Sequence, residues 1–148
     1  RSTLFPYTTL FRSVKFSRLT VRIGDINYGG HLGHDRLITL LHQARIELLH
    51  TLGATETDCF GAGLIMRHLT CDYRGEAFLN DTLDIAMRVD NLRNAAYTLQ
   101  YSVTCQGRPI ATAAVEMVAY DYQRHKIIAL PPAFADALHR RRENHHDQ

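Results

Sequence analysis

Hydrophobic residues recur every three or four positions between Asp35 and about Leu52. At about 100° per residue, one side of a helix holds Leu37, Leu40, Leu41, Ala44, Leu48 and Leu52. Gly53 suits the position just after the helix end. Ile46 lies on the polar side and Arg45 at the apolar edge, so either the outer face meets a second subunit or the Arg45 stem lies along the surface. The pattern predicts one long helix with a buried face.

A period of two dominates most of the remaining chain and predicts strands. The predicted strands cover Lys15 to Ile23, Leu64 to Tyr73, residues 82–89, residues 97–106 and Ile110 to about Tyr122. Pro131 and Pro132 then open a short helix from Ala133 to about Arg141. We assign residues 139–148 to a C-terminal tail and expect Glu143 to Gln148 to fray.

The order of elements is one strand, a long helix and then four strands in meander style. The economical packing is a buried helix wrapped by an antiparallel sheet of five to six strands, which is an α+β fold. The 148 residues are 45% hydrophobic and 22% charged, as expected for one globular domain. We place that domain at residues 14–138.

Composition excludes several classes of protein. Cys59, Cys71 and Cys105 have no zinc-like spacing, so we expect reduced thiols in the core. The apolar runs are short, which favours a soluble cytoplasmic protein without a membrane partner. The formal net charge of +2 comes from 17 basic and 15 acidic residues. Residues 1–13 resemble a translated sequencing adaptor, so we expect the native N-terminus to be missing; without Arg1 and Arg12 the balance is 15 against 15, which gives no reason to expect nucleic acid binding.

Candidate chemistry concentrates in the glycine-rich loop before the long helix. Asp25, Asn27, His31 and His34 lie where a helix begins, and the free N–H groups of a helix start stabilise negative charge. Asp25 or His31 is a candidate general base. Alternatively, Asp25 holds the loop through backbone N–H groups, and His31 is a packed or capping residue. No further ligand follows His31 and His34 at a convincing spacing, so we expect no metal.

These residues resemble the hotdog-fold acyl-CoA thioesterases of the 4-hydroxybenzoyl-CoA thioesterase-like group. The motif runs from Arg22 through Asp25, Asn27, Gly30, His31 and His34, and continues as Gln43-Ala44-Arg45, Leu52-Gly53, Tyr73-Arg74 and Asn80 to Leu83. The resemblance implies a hotdog fold over about residues 14–134, an acyl tunnel between subunits and a homodimer or homotetramer. It also implies that a backbone amide at His34 or a neighbour polarises the thioester carbonyl.

Two positions depart from the family pattern. The family's catalytic Asp falls on Asn27, and Gln43 stands where relatives often carry Glu. An amide is neither base nor nucleophile at neutral pH, but it can orient water or donate to the carbonyl.

The leading function is therefore hydrolysis of an acyl-CoA thioester to the free acid and CoA. CoA enters only as part of the substrate, and no separate cofactor is expected. Candidate contacts to its phosphates are Arg67, Arg93, Arg124 and Lys126. Two alternatives remain open: an enoyl-thioester hydratase, and a non-catalytic protein that binds acyl thioesters and has lost its acid.

Overall fold

The computed structural model describes residues 15–144, with side chains described as far as Arg141. The predictions for residues 1–13 and 145–148 lie outside these described residues. None of the described helices is long and apolar enough to cross a membrane.

The described chain contains two helices and six strands, in agreement with the predicted α+β class. The helices are α1 (His34–Thr51) and α2 (Pro132–Asn144). The strands are β1 (Lys15–Thr20), β2 (Gly63–Tyr73), β3 (Thr82–Asp90), β4 (Ala96–Cys105), β5 (Arg108–Asp121) and β6 (Lys126–Ile127).

All strand pairs are antiparallel, in the order β1-β3-β4-β5-β2, with β6 pairing with β5. Strands β3, β4 and β5 form a meander, but the prediction of a four-strand meander is wrong for β2. That strand lies beyond β5, at the edge of the sheet opposite β1. Residues 74–81 are long enough to cross from β2 to β3, and this crossing segment becomes one wall of the candidate site.

The predicted apolar stripe of α1 faces the inner side of the sheet. Leu37, Leu41, Ala44 and Leu48 are buried, whereas Leu40 and Leu52 are only partly buried; Leu49 is buried as well. The helix ends at Thr51, and Gly53 has the positive φ of 76° that favours glycine just beyond a helix.

The Arg45 side chain does not lie along the surface, because only 7% of it is exposed. Its Nε donates to Glu56 Oε2 at 2.8 Å, and its Nη1 donates to the Tyr101 hydroxyl at 3.4 Å. Arg45 is therefore a buried residue whose guanidinium forms an ion pair with Glu56.

The first strand is shorter than predicted and ends at Thr20 instead of Ile23. Val21 stays buried and its N–H donates to the Asp81 carbonyl, but Ile23–Asp25 form a 3-10 turn and Ile23 is exposed. The Asp25 carboxylate accepts the Arg22 N–H at 2.8 Å, which closes this turn and ends the strand.

Helix α2 begins at Pro132 and continues to Asn144, beyond the predicted end at Arg141. Residues 139–144, expected in a frayed tail, are therefore helical. Phe134 anchors the helix, since its ring packs edge-on against Tyr97 with centroids 5.6 Å apart. Arg140 and Arg141 also place positive charge near the helix C-terminus, which is favourable.

The three cysteines are free thiols, with Cys59 and Cys105 buried and Cys71 partly buried, as predicted. Burial raises the pKa of Cys59 to about 12, so this thiol stays protonated near neutral pH.

Candidate active site

The loop between β1 and α1 is closed by its own side chains. The N–H groups of Gly29 and His31 donate to Asn27 Oδ1 at 2.9 and 3.3 Å. The backbone N–H of Asn27 donates in turn to the His31 carbonyl at 2.8 Å. A carboxylate at position 27 could accept the same two bonds, so the loop does not require an amide there.

Asp25 has a structural position in this loop. Besides the bond between its carboxylate and the Arg22 N–H, its carbonyl accepts the Gly33 N–H at 2.9 Å. Asp25 does not line the cavity described below. The geometry therefore favours the alternative in which Asp25 holds the loop.

Helix α1 starts directly after Gly33, and no side chain caps it. A Cβ at position 33 would lie 2.8 Å from Asp35 Oδ1 and 3.4 Å from Asn27 Cβ, so only glycine fits this approach without displacement. The first amides of a helix have no carbonyl partner within it. Those of His34, Asp35 and Arg36 can therefore bind an anionic or carbonyl oxygen.

A cavity of about 200 Å³ opens at this helix start. Its polar lining comes from three segments: Asn27, His31 and His34 on the loop and helix, Tyr73 at the end of β2, and Glu76 on the crossing segment. Its apolar lining includes Leu32, Leu37, Ala77 and Ile110. The cavity therefore joins three of the four predicted catalytic residues, all except Asp25.

Glu76 is the carboxylate that sequence reasoning missed. Its Oε1 lies 3.7 Å from His31 Nε2, while His31 Nδ1 lies 3.5 Å from the Leu32 carbonyl. The ring of Phe78 meets the His31 ring edge-on, with centroids 6.5 Å apart. Glu76 lies three positions after the predicted strand that ends at Tyr73, and nothing in the local sequence singles it out as a site residue.

Tyr73 connects the end of β2 to the helix start. Its hydroxyl donates to the His34 carbonyl at 2.7 Å, and the two rings pack edge-on with centroids 6.5 Å apart. Desolvation, with smaller contributions from Cys71 and Asp35, raises the pKa of Tyr73 to about 12. The hydroxyl therefore stays protonated and keeps this bond near neutral pH.

The residues expected to contact CoA phosphates lie elsewhere in the chain. Arg67 Nε donates to Glu116 Oε1 at 2.8 Å, and Arg93 donates to the other oxygen of the same carboxylate. These two hydrogen bonds lower the pKa of Glu116 to about 2, and the bond from Arg67 has the larger effect. Arg124 lies 3.7 Å from Asp121, and Lys126 belongs to β6. Arg67 is six positions before Tyr73, roughly 20 Å along β2, and none of the four cations lines the cavity.

Gln43 is also remote from the helix start. It lies nine residues after His34, about 14 Å along α1 at ~1.5 Å per residue. Its Nε2 donates to Glu47 Oε2 at 3.3 Å, and Glu47 Oε1 accepts the Ser17 hydroxyl at 2.7 Å.

Among the described residues, no group of three or more His, Cys, Asp and Glu is arranged to hold a metal ion.

The sequence of this chain is similar to those of proteins named as CoA thioester hydrolases. A 1,4-dihydroxy-2-naphthoyl-CoA hydrolase from Synechococcus sp. is 26% identical over 134 residues, covering 85% of each chain. An acyl-CoA thioesterase from Haemophilus influenzae is 25% identical over 118 residues, covering 78% of this chain and 87% of the relative.

Solved structures show the same fold. The crystal structure of a 1,4-dihydroxy-2-naphthoyl-CoA thioesterase from Synechocystis matches with a TM-score of 0.77 at 16% identity, over 83% of this chain and 93% of that one. The predicted hotdog fold is thereby confirmed. The family model of the thioesterase-like superfamily matches residues 21–138. The chain therefore belongs to the thioesterase-like superfamily.

Proposed function

We propose that this protein hydrolyses a CoA thioester at the start of α1. The observation that carries the proposal is the pairing of an uncapped helix N-terminus with the His31 and Glu76 side chains in one cavity. The relatives named as CoA thioester hydrolases support the same class of reaction.

The helix start polarises the thioester carbonyl and so activates it for attack. The thioester carbonyl oxygen accepts a hydrogen bond from the amide of His34 or a neighbour in the first turn. This bond strengthens as negative charge develops on that oxygen in the tetrahedral intermediate. In this proposal His34 acts through its backbone, while Tyr73 holds its carbonyl and packs against its ring.

His31 and Glu76 supply the nucleophilic half. The 3.7 Å between them exceeds a direct hydrogen bond, so Nε2 and the carboxylate are each available to a water in the cavity. With its proton on Nδ1, facing the Leu32 carbonyl, the imidazole presents Nε2 as the base. His31 takes a proton from water, and the resulting hydroxide attacks the carbonyl carbon.

The intermediate then collapses with cleavage of the C–S bond, and the leaving thiolate takes the proton back from the imidazolium. Glu76 stabilises that imidazolium while it exists. Asn27 uses Oδ1 to close the loop, which leaves its amide nitrogen to orient the water or the carbonyl. A neutral residue at position 27 is therefore compatible with hydrolysis.

We further propose that the protein works as at least a homodimer. Strand β2 presents eleven residues at the edge of the sheet, and among the described strands only β5 pairs with it. Apolar side chains near this edge are exposed, with Met66 at 44% and Tyr73 at 50%. A long unpaired edge beside apolar surface favours association with another chain, and a second copy is the simplest partner.

Assembly would also give the expected phosphate contacts a role. Arg67 and Arg93 share a single carboxylate, so their cluster with Glu116 keeps one positive charge. We propose that this cluster, with Arg124 and Lys126, contacts CoA phosphates bound to a neighbouring subunit.

A panel of benzoyl-, hydroxybenzoyl-, dihydroxynaphthoyl-, straight-chain acyl- and enoyl-CoA tests the proposed function through release of free thiol. Hydrolysis of at least one member by the purified protein is the expected result. Tight binding without thiol release would favour the acyl-binding alternative, for which Asn27 in place of the family acid is the direct argument. Hydration of an enoyl-CoA without thiol release would instead identify a hydratase.

A further inference from the structure

Arg108 lies at the start of β5, directly after the hairpin that joins β4 to β5. Gln106 and Gly107 have φ values of 51° and 78°, as in a two-residue type I′ turn. Arg108 pairs with Cys105 across this turn. The guanidinium is therefore carried by a tight hairpin and not by a long loop.

From this position the guanidinium reaches two points of the crossing segment. Its Nη1 donates to the Glu76 carbonyl at 2.5 Å, and its Nη2 lies 3.8 Å from Asp81 Oδ2. That Asp81 oxygen also accepts the Phe78 N–H at 2.9 Å. One side chain thus links both ends of residues 76–81.

Backbone contacts hold the same segment from two other sides. The Gly75 N–H donates to the Ile110 carbonyl, and a Cβ at position 75 would lie 2.5 Å from the Pro109 carbonyl oxygen. The Leu32 N–H donates to the Ala77 carbonyl at 2.8 Å, which ties the segment to the loop that carries His31.

Glu76 needs such support because its own side chain is 63% exposed. An exposed carboxylate on a free loop would sample many positions, whereas one on a fixed backbone stays within reach of His31. We propose that Arg108 is a positioning residue for the reaction, which holds the backbone of Glu76 so that its carboxylate faces His31. This inference rests on the proposed function, since it assigns Glu76 a role beside His31.

A double-mutant cycle on the full chain separates positioning from general stabilisation. The variants are Arg108→Gln, Glu76→Gln and the double substitution, assayed with the CoA thioester that the natural chain hydrolyses best. Misplacing a reacting group by about 1 Å can cost up to about a hundredfold in rate. We expect Arg108→Gln to lower kcat between about ten- and a hundredfold while KM stays within about twofold.

In the Glu76→Gln background, the same Arg108 substitution should change kcat by less than about twofold, because residues acting as a unit are not additive. Arg108→Lys keeps the charge and should recover part of the loss in kcat. If Arg108→Gln does not fold, Arg108→Lys takes its place in the cycle. Arg18→Gln is the matched control, since Arg18 also pairs with a carboxylate, Asp84 at 2.8 Å, on an exposed part of the sheet.

Additive losses in the cycle, or a kcat for Arg108→Gln equal to that of the natural chain, would overturn the positioning role and leave the proposed function standing. An absence of thiol release by the natural chain would overturn both.

Discussion

Nε2 of His31 lies 3.7 Å from Oε1 of Glu76, although 45 positions separate the two residues in the chain. The loop before α1 supplies the imidazole, and the segment that crosses from β2 to β3 supplies the carboxylate. Their meeting point faces the uncapped start of α1. The proposed base and the free amides of the helix start therefore lie at one cavity without a carboxylate at position 27.

Asn27→Asp should leave the loop intact, because an aspartate accepts the same N–H bonds from Gly29 and His31. We expect an unchanged melting temperature and a kcat within about tenfold of the natural chain, since one neutral hydrogen bond contributes about 1 kcal/mol. Thermal melting and thiol release measure both effects. A natural chain without activity that gains hydrolysis only as Asn27→Asp would instead support the acyl-binding function.

Glu56→Gln should destabilise the fold, because it leaves the buried Arg45 guanidinium without its carboxylate. We expect a loss of about 3 kcal/mol in the free energy of unfolding. Asp84→Asn breaks the more exposed pair with Arg18 and should cost less than about 1 kcal/mol. Denaturant unfolding compares the two, and equal losses would argue against a special role for Glu56.

Glu56 also makes the stability of the fold depend on pH. Desolvation by burial acts to raise the pKa of Glu56, but the hydrogen bonds from Arg45 and His42 outweigh it and hold the pKa below 4.5. A folded pKa below the unfolded value stabilises the fold above the unfolded pKa, and this stabilisation is lost as pH falls through the folded pKa. Melting temperature should therefore fall as the pH is lowered from about 5 through the folded pKa of Glu56, and less steeply in Glu56→Gln.

Arg93→Gln should weaken the binding of CoA and leave kcat unchanged. If the cluster at Glu116 binds phosphate, KM for a CoA thioester rises by about tenfold, as expected for one charge-assisted hydrogen bond. The N-acetylcysteamine thioester of the same acid lacks the phosphates and serves as the control substrate. A KM that stays constant for both substrates would remove Arg93 from the binding site.

Sedimentation should give the mass of at least two chains at micromolar concentration. The long edge of β2 and the exposed Met66 beside it are the reasons for this expectation. Met66→Lys, which places a charge at that edge, should shift the mass towards a single chain. A monomer mass for the natural chain would contradict the proposed assembly.

The helix and most strands could be predicted from the sequence, because α1 and β3 to β5 show clear periods of 3.6 and two residues. The position of β2 could not, since its period of two is the same at any place in the sheet. The end of β1 was also missed, because the Asp25 carboxylate closes a turn inside an alternating pattern.

The candidate site was predictable only where its residues are near in sequence. Asn27, His31 and His34 share one loop, so their short spacing along the chain is enough to bring them together. Glu76 reaches them through the crossing of residues 74–81, and nothing local in Arg74-Gly75-Glu76 specifies where that segment lies. Its placement depends on long-range contacts such as that between Arg108 and the Glu76 carbonyl.

The most direct test of the account is the kcat of His31→Gln for thiol release, with folding checked by circular dichroism. Loss of a general base costs about 10²- to 10⁴-fold, so we expect a loss of at least about a hundredfold. The control is His50→Gln, at an exposed position in the last turn of α1, which should match the natural chain. A kcat for His31→Gln within about threefold of the natural chain would contradict the role of His31 as the base.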